Sequence, residues 1–256
     1  MNKINTDVNY RTMAGNARLL MIGESSHNAA MYKYEAIKAL KQLKAAGFTH
    51  FAMEMLPKTM QEQIDLYQRT GKGFPVIQQY FDENWKWGYG VPEGYGDLIR
   101  AAKNIGLKVI ALDLTIEQMK VFDLACDWDD AVLKKCESTH FKRNKVWAEN
   151  IDGILKSSQQ NKIIAFMHRW HAIEAAKYEP GLDTLLQKKG ISKIRFIDLI
   201  GGNACSTKRS CKGYSDEINE LKKQYFSREG IPYKSAVKTY QVHIPERSLN
   251  IDGAVK

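Results

Sequence analysis

Glu24 and His27 stand three residues apart in Gly23-Glu24-Ser25-Ser26-His27, directly after an apolar run and directly before a stretch with helical patterning. A carboxylate and an imidazole at that spacing can reach one side of a loop, where they bind a metal or act as an acid–base pair. The same residues admit a structural role, with Glu24 capping the helix and His27 lying in its exposed first turn. A second carboxylate, Glu54, closes the apolar run Phe51-Ala52-Met53-Glu54-Met55. A carboxylate there is costly unless a cation, a proton or a hydrogen-bond donor compensates it, and a salt bridge to an arginine would do so. Two imidazoles follow in His168-Arg169-Trp170-His171. His171 is the natural fourth member of the set; His168 either lines the same pocket or is a core histidine satisfied by backbone. Arg143 lies four residues before Trp147 and eight before Ile151, on the face that this helix buries. An inward arginine calls for a carboxylate or an anion, so it either pairs with Glu54 or Glu24 or serves in catalysis. Asp113 ends another apolar run, where an N-cap or a loop-stabilising role is the ordinary reading.

These side chains need elements to hold them. Five near-continuous apolar runs of strand length occur at residues 18–22, 49–53, 108–112, 162–167 and 193–199, the pattern of strands covered on both faces. Between the first two, Met31, Tyr34, Ile37, Leu40 and Leu43 recur at helical spacing, and Gly47 supplies the stop. Further helices are expected over 96–104, 139–157 and 173–189, and a last one over 216–226 before a late strand or hairpin around Val237 to Ile244. Strand–helix alternation predicts an α/β fold: one domain over 1–256 with a mostly parallel central sheet flanked by helices. Its core spans about 17–200, with a helical insertion over about 56–96 and a C-terminal extension over about 201–256. In such sheets ligands bind beyond the carboxyl ends of the strands. Glu24, Glu54, Asp113 and the His168–His171 segment all follow strands, so four strands deliver carboxylates and imidazoles to one edge.

Composition narrows the function classes. With 44% hydrophobic and 26% charged residues the 256-residue chain is an ordinary globular protein, neither disordered nor fibrous. No apolar stretch approaches the ~20 residues of a membrane helix, and no apolar segment follows Met1, so no membrane insertion and a cytoplasmic location are expected. The net charge of +9 is spread along the helices, and its densest patch is Lys208, Arg209 and Lys212. A solvated basic surface is the default, and a nucleic-acid partner is not expected. Cys126, Cys136, Cys205 and Cys211 form no C-x-x-C pair and read as free thiols, although Cys205 and Cys211 share one loop and could bridge if oxidised. No G-x-S-x-G elbow is present, and Gly201 to Lys208 lacks the spacing of a phosphate loop.

The segment Leu20 to His27, the following helix and Phe51 to Pro57 together resemble the opening of the ChaN-like haem-binding uptake family, in the superfamily with the Tiki and TraB proteins and the erythromycin esterases. The similarity continues loosely through Asn84-Trp85-Lys86-Trp87, Leu107 to Leu112, Arg143-Asn144, Trp147 to Ile151 and His168 to His171. It departs in carrying His168 where the family's last motif usually has glycine, and in lacking a lipoprotein signal. The resemblance implies a pocket of Glu24, His27, Glu54 and His171, with Arg143 beside it. In the esterase branch the matching residues are linked to water activation, in the Tiki branch to metal-dependent peptide cleavage, and ChaN-like members are described as haem binders.

Two functions from different classes follow. One is a hydrolase acting on an ester or peptide bond of a small-molecule or peptide substrate. It would use Glu24 or Glu54 as base, or a zinc, manganese or iron ion held by Glu24, His27, Glu54 and His171, with Arg143 on the oxyanion. The other is a haem-binding protein using Trp85 and Tyr89 as an apolar wall, with Trp87 and Tyr95, and His168 or another histidine or tyrosine as ligand. Packing of the insertion onto the sheet is the default role of those aromatic rings.

Overall fold

The computed structural model describes residues 4–121, 137–173 and 179–246. A seven-stranded sheet runs through it in the order β3-β2-β4-β1-β5-β9-β8. Its members are β1 (Leu19–Glu24), β2 (His50–Pro57), β3 (Lys108–Asp113), β4 (Ile163–His168), β5 (Ile194–Gly201), β8 (Phe226–Glu229) and β9 (Lys238–Ile244). All neighbours are parallel except β8, which pairs antiparallel to β9 at one edge. The α/β class, the five apolar strands and the late strand expected from the sequence are all present.

The apolar runs are continuous because both faces are covered. Leu20, Ile22, Phe51, Met53, Ile164, Phe166, Ile197 and Leu199 pack on one side. There they meet α2 (Ala30–Ala45), α3 (Gln61–Thr70), α4 (Phe74–Asn84) and α5 (Val91–Asn104); a short α1 (Tyr10–Ala14) joins the same layer. Leu19, Met21, Ala52, Ile163, Ala165, Met167 and Phe196 face the other side. That layer is built from the α7 helix (Thr139–Ser157) and the α9 helix (Leu182–Lys188), through Trp147, Ile151, Leu155, Leu182 and Leu186. Short helices α6 (Ile116–Lys120) and α8 (Arg169–Ala172) follow β3 and β4. The exposed edge of β3 is closed by two glutamine side chains of α3. Gln61 and Gln68 each donate to and accept from its backbone, at Val109 and Ala111 and at Leu107 and Val109, which blunts an edge that would otherwise template pairing.

Several boundaries differ from the sequence expectation. The α5 helix begins at Val91, five residues before the expected start, because Pro92 suits a first turn. The buried face of α2 is Tyr32, Lys33, Glu35, Ala36, Ala39, Leu40 and Leu43, while Met31, Tyr34 and Ile37 are only partly buried. Of the expected 173–189 helix the described residues show α9 (Leu182–Lys188), which starts after Pro180, a residue unsuited to a helix interior; residues 174–178 lie outside the described residues. The expected 216–226 helix shrinks to α10 (Asn219–Lys222), and Phe226 starts a strand.

The loop expected at 203–213 is a two-stranded hairpin, β6 (Asn203–Thr207) with β7 (Ser210–Gly213), separate from the main sheet. Cys205 and Cys211 face each other across it and are joined as a disulfide, which overturns the free-thiol expectation for this pair. Direct cross-strand pairing brings the two sulfurs together, a proximity invisible in a six-residue spacing. Cys126 and Cys136 lie outside the described residues. Among the described residues no helix is long and apolar enough to cross a membrane.

Candidate active site

Glu24 is the last residue of β1, in register with His168 of β4 and Leu199 of β5. The glycine before it has a steric cause. A Cβ at position 23 would come within 2.6 Å of the Phe196 ring and 3.0 Å of the Arg169 backbone, so only glycine lets the chain leaving β4 cross this point. Glu24 itself is fully buried. One oxygen accepts from His27 Nδ1 at 2.6 Å and from the Tyr95 hydroxyl at 2.7 Å; the other lies 2.7 Å from Lys33 Nζ. Burial alone would raise its pKa, but Lys33 and His27 outweigh that and hold it below the usual range, so Glu24 is ionised. Lys33 is equally buried, and its ammonium also donates to the His27 and Ala29 carbonyls and lies over the Tyr95 ring.

This network orients His27. With Nδ1–H donated to Glu24, Nε2 is the ring nitrogen left facing the site, 4.0 Å from Glu54 Oε1. The ring sits among Trp85, Trp87 and His168, at centroid distances of 5.2, 5.0 and 4.9 Å. Glu24 is therefore not a helix cap, and His27 is not a surface residue.

Glu54 is presented where the β2–β3 register shifts between Met53 and Pro57, a bulge that re-aims a side chain. Its Oε1 accepts from Arg143 Nη2 at 2.9 Å and its Oε2 from the His168 backbone N–H at 2.6 Å. Burial would raise this carboxyl, yet His171, His27 and Arg143 together hold it well below the usual range. Arg143 also grips Asp113 with a two-point fork, Nε to Oδ1 at 2.9 Å and Nη2 to Oδ2 at 2.8 Å. Burial leaves Asp113 raised above its ordinary pKa despite that fork. The arginine thus pairs with Glu54, as one sequence reading had it, and with Asp113, which proves to be its second partner and not a helix cap.

His171 is buried at the same junction. Its Nδ1 lies 2.6 Å from Asn144 Oδ1, leaving Nε2 to accept from Arg143 Nη1 at 3.2 Å, with Glu54 Oε1 3.3 Å away. Its ring stacks on His140 at 3.7 Å and leans on Trp147. Burial pushes its pKa well down, while Glu54 beside it pulls the other way. His168, also driven down by burial, to about 4, is neutral beside His27. The structure therefore gathers Glu24, His27, Glu54, Arg143, His168 and His171, with Trp85 and Trp87 as a wall. Tyr89 is partly exposed, and its backbone N–H is bonded to the Cys205 carbonyl. Sequence reasoning missed Lys33, Asn144 and the hydrogen bond of Tyr95. The Arg143-Asn144 pair carried the only readable signal, since adjacent helical positions could address neighbouring partners.

The expected metal set is gathered but not arranged as ligands. Among the described residues no group of three or more His, Cys, Asp or Glu side chains could hold a metal ion. The carboxylate oxygens that would bind one are already committed: Glu24 to His27, Tyr95 and Lys33, and Glu54 to Arg143 and the His168 N–H. The donor set is compensated by the chain's own cations and does not fit a divalent metal.

With this geometry in hand, comparison with known proteins bears out the resemblance. The family model for haem-binding uptake, Tiki superfamily, ChaN matches residues 12–123, a span that includes Glu24, His27 and Glu54. Among solved structures the chain is similar to the type III effector HopBA1, with 13% identity, 96% of this chain and 98% of that one covered and a TM-score of 0.63. It is similar to a mutant of the erythromycin esterase EreC in its open conformation, with 11% identity, 92% of each chain covered and a TM-score of 0.58. It is also similar to ChaN of Campylobacter jejuni, described for cofacial heme binding, with 13% identity, 88% of each chain covered and a TM-score of 0.52. At these identities the likeness is one of fold. No curated protein matches the sequence.

Proposed function

We propose that the chain is a metal-independent hydrolase in which His27, oriented by Glu24, activates water against an ester or amide carbonyl. The observation that carries this reading is the one-sided binding of the His27 ring: Nδ1 is fixed to a buried carboxylate at 2.6 Å, while Nε2 faces Glu54 across 4.0 Å. That gap suits a water hydrogen-bonded to both groups. As the water attacks, its proton passes to Nε2, and the imidazolium is stabilised by Glu24 at the opposite nitrogen, the logic of a carboxylate–histidine pair. The proton then goes to the leaving oxygen or nitrogen.

Arg143 keeps Glu54 ionised. Four of its five N–H groups have acceptors in Asp113, Glu54 and His171, which leaves one donor for the developing oxyanion. The likeness to an erythromycin esterase agrees with this chemistry. The test is hydrolysis of a panel of chromogenic esters and peptide anilides by wild type and His27→Asn. Turnover lowered about 10²–10⁴-fold in a folded variant is expected for loss of a general base, with no effect of a chelator. Full activity in His27→Asn would sink the reading.

A second reading is favoured by one feature. Trp87 and Tyr89 are exposed at 55% and 37%, close in sequence to Trp85 and, for Trp87, in ring contact with His27. A haem lying there would be held by the Trp87 and Tyr89 rings, with neutral His168 or the Tyr89 phenol as iron ligand, and would supply redox or iron-storage chemistry. Titration with haem, read at the Soret band in wild type and Tyr89→Phe, separates this from the hydrolase.

A further inference from the structure

We propose that the Cys205–Cys211 disulfide is a redox-controlled latch on the aromatic wall of the His27 site. The β6–β7 hairpin that it staples stands apart from the main sheet, and β7 is almost wholly exposed. Two-stranded hairpins of this length are marginal by themselves, so the crosslink contributes a large share of their order. The hairpin leans on the two segments that frame His27. The Cys205 carbonyl accepts from the Tyr89 N–H at 2.7 Å, which ties down the loop that carries Trp85 and Trp87. The Asn203 N–H meets Met31 Sδ at 3.3 Å, in the first turn of α2, four residues beyond His27.

Gly88 lies in the seam between these parts. A Cβ there would come within 2.6 Å of the Asn28 carbonyl oxygen and 3.2 Å of the Cys205 carbonyl oxygen. The loop, the start of α2 and β6 are therefore packed backbone to backbone. From Gly88 the path to the chemistry is one residue long, since the Trp87 ring is 5.0 Å from the His27 ring.

The bond is also placed to be opened. Cys211 is exposed while Cys205 is buried, and Lys212 follows Cys211 with Lys208 and Arg209 at the hairpin turn, a cationic setting that favours thiolates. A thiolate of an external dithiol attacks Cys211 Sγ, the S–S bond breaks, and its electron pair leaves on Cys205 Sγ, which takes up a proton. The second thiol of the reductant then displaces Cys211 as a thiol. Overall the protein gains two electrons and two protons, and the dithiol becomes a disulfide. The released hairpin frees the Cys205 carbonyl from Tyr89, and the Trp85–Tyr89 loop loosens around His27. Loosening stands on this geometry alone; a change in turnover follows only if the water-activation reading holds.

Hydrogen exchange on the full chain, followed by mass spectrometry with and without a dithiol, tests the latch independently of any activity. Expected is exchange at residues 86–90 faster by about tenfold or more after reduction, as for a locally opened segment, with β1 and β4 unchanged. The double variant Cys205→Ser/Cys211→Ser should show the fast exchange permanently and ignore the dithiol. Unchanged exchange after thiol titration confirms complete reduction would overturn the proposal, as would a double variant that exchanges as slowly as oxidised wild type. Loss of the latch signature with hydrolysis intact refutes the latch alone; the signature without any hydrolysis refutes the hydrolase reading alone.

Discussion

Glu24 and Lys33 form an ion pair at 2.7 Å in which neither side chain has any solvent exposure. Their charges exist for each other, and the carboxylate spends its other oxygen on His27. Removing one partner strands the other. Lys33→Met and Glu24→Gln should each lower unfolding free energy by about 3–5 kcal/mol, the usual cost of breaking a buried pair. The double variant Glu24→Gln/Lys33→Met should recover most of that stability but none of the activity. Urea unfolding and the ester assay on all three variants check this.

Arg143 neutralises two buried carboxylates, Glu54 and Asp113. Arg143→Leu leaves both uncompensated and should be the most destabilising change at the site, lowering the urea midpoint further than His171→Ala. Arg143→Lys restores the charge but not the two-point fork on Asp113, because an ammonium has no planar pair of donors. Partial recovery of stability, with activity still far below wild type, is the expected result of comparing the two.

Stability should depend on pH through two opposed groups. His168 falls from 6.5 to about 4 on folding, chiefly through burial. Between those values the folded protein binds fewer protons than the unfolded chain, so this contribution is present above 6.5 and lost as pH falls toward 4. Asp198 rises from 3.8 to about 6, again through burial. Its contribution has the other sign: present below 3.8 and lost as pH rises through 6. Urea midpoints from pH 4 to 7 should rise less steeply with pH in His168→Gln than in wild type, and more steeply in Asp198→Asn.

Gly23→Ala tests whether the site depends on close backbone approach. The added methyl group would meet the Phe196 ring and the Arg169 backbone. Overpacking of this kind costs about 1–3 kcal/mol, and here it also separates β1 from the turn after β4. A lower melting temperature together with a reduced ester hydrolysis rate is expected; wild-type values for both would show that Phe196 yields without consequence.

Much of this arrangement is written in the sequence. Strands covered on both faces must be largely apolar, so β1, β2 and β4 stand out as apolar runs, and the ionisable residue that interrupts or follows each is conspicuous. Glu24, Glu54 and His171 were legible for that reason. Lys33 was not, because a lysine on an otherwise alternating helix reads as solvated until a buried carboxylate is placed opposite it. Asp113 and Arg143 were each visible, but their fork depends on where α7 crosses the end of β3. The metal expectation failed on the same point. Residue types and order specify a ligand set, whereas the direction of each lone pair is fixed by neighbours such as Tyr95 and the His168 N–H, which no spacing reveals. The Cys205–Cys211 pairing needed the hairpin register.

The position of β4 has a consequence for the birth of the molecule. Glu24 belongs to β1 and Glu54 to β2, yet those strands never touch; each is hydrogen-bonded to β4, which is inserted between them. A chain emerging from the ribosome holds β2 and β3 as a pair and β1 as an orphan until residue 168 is available, since long-range parallel pairing must wait for its central member. The last strand to join that trio is thus the keystone, and it brings His168 with it. Any fragment ending before it carries most of the reactive groups with no means of bringing them to one place.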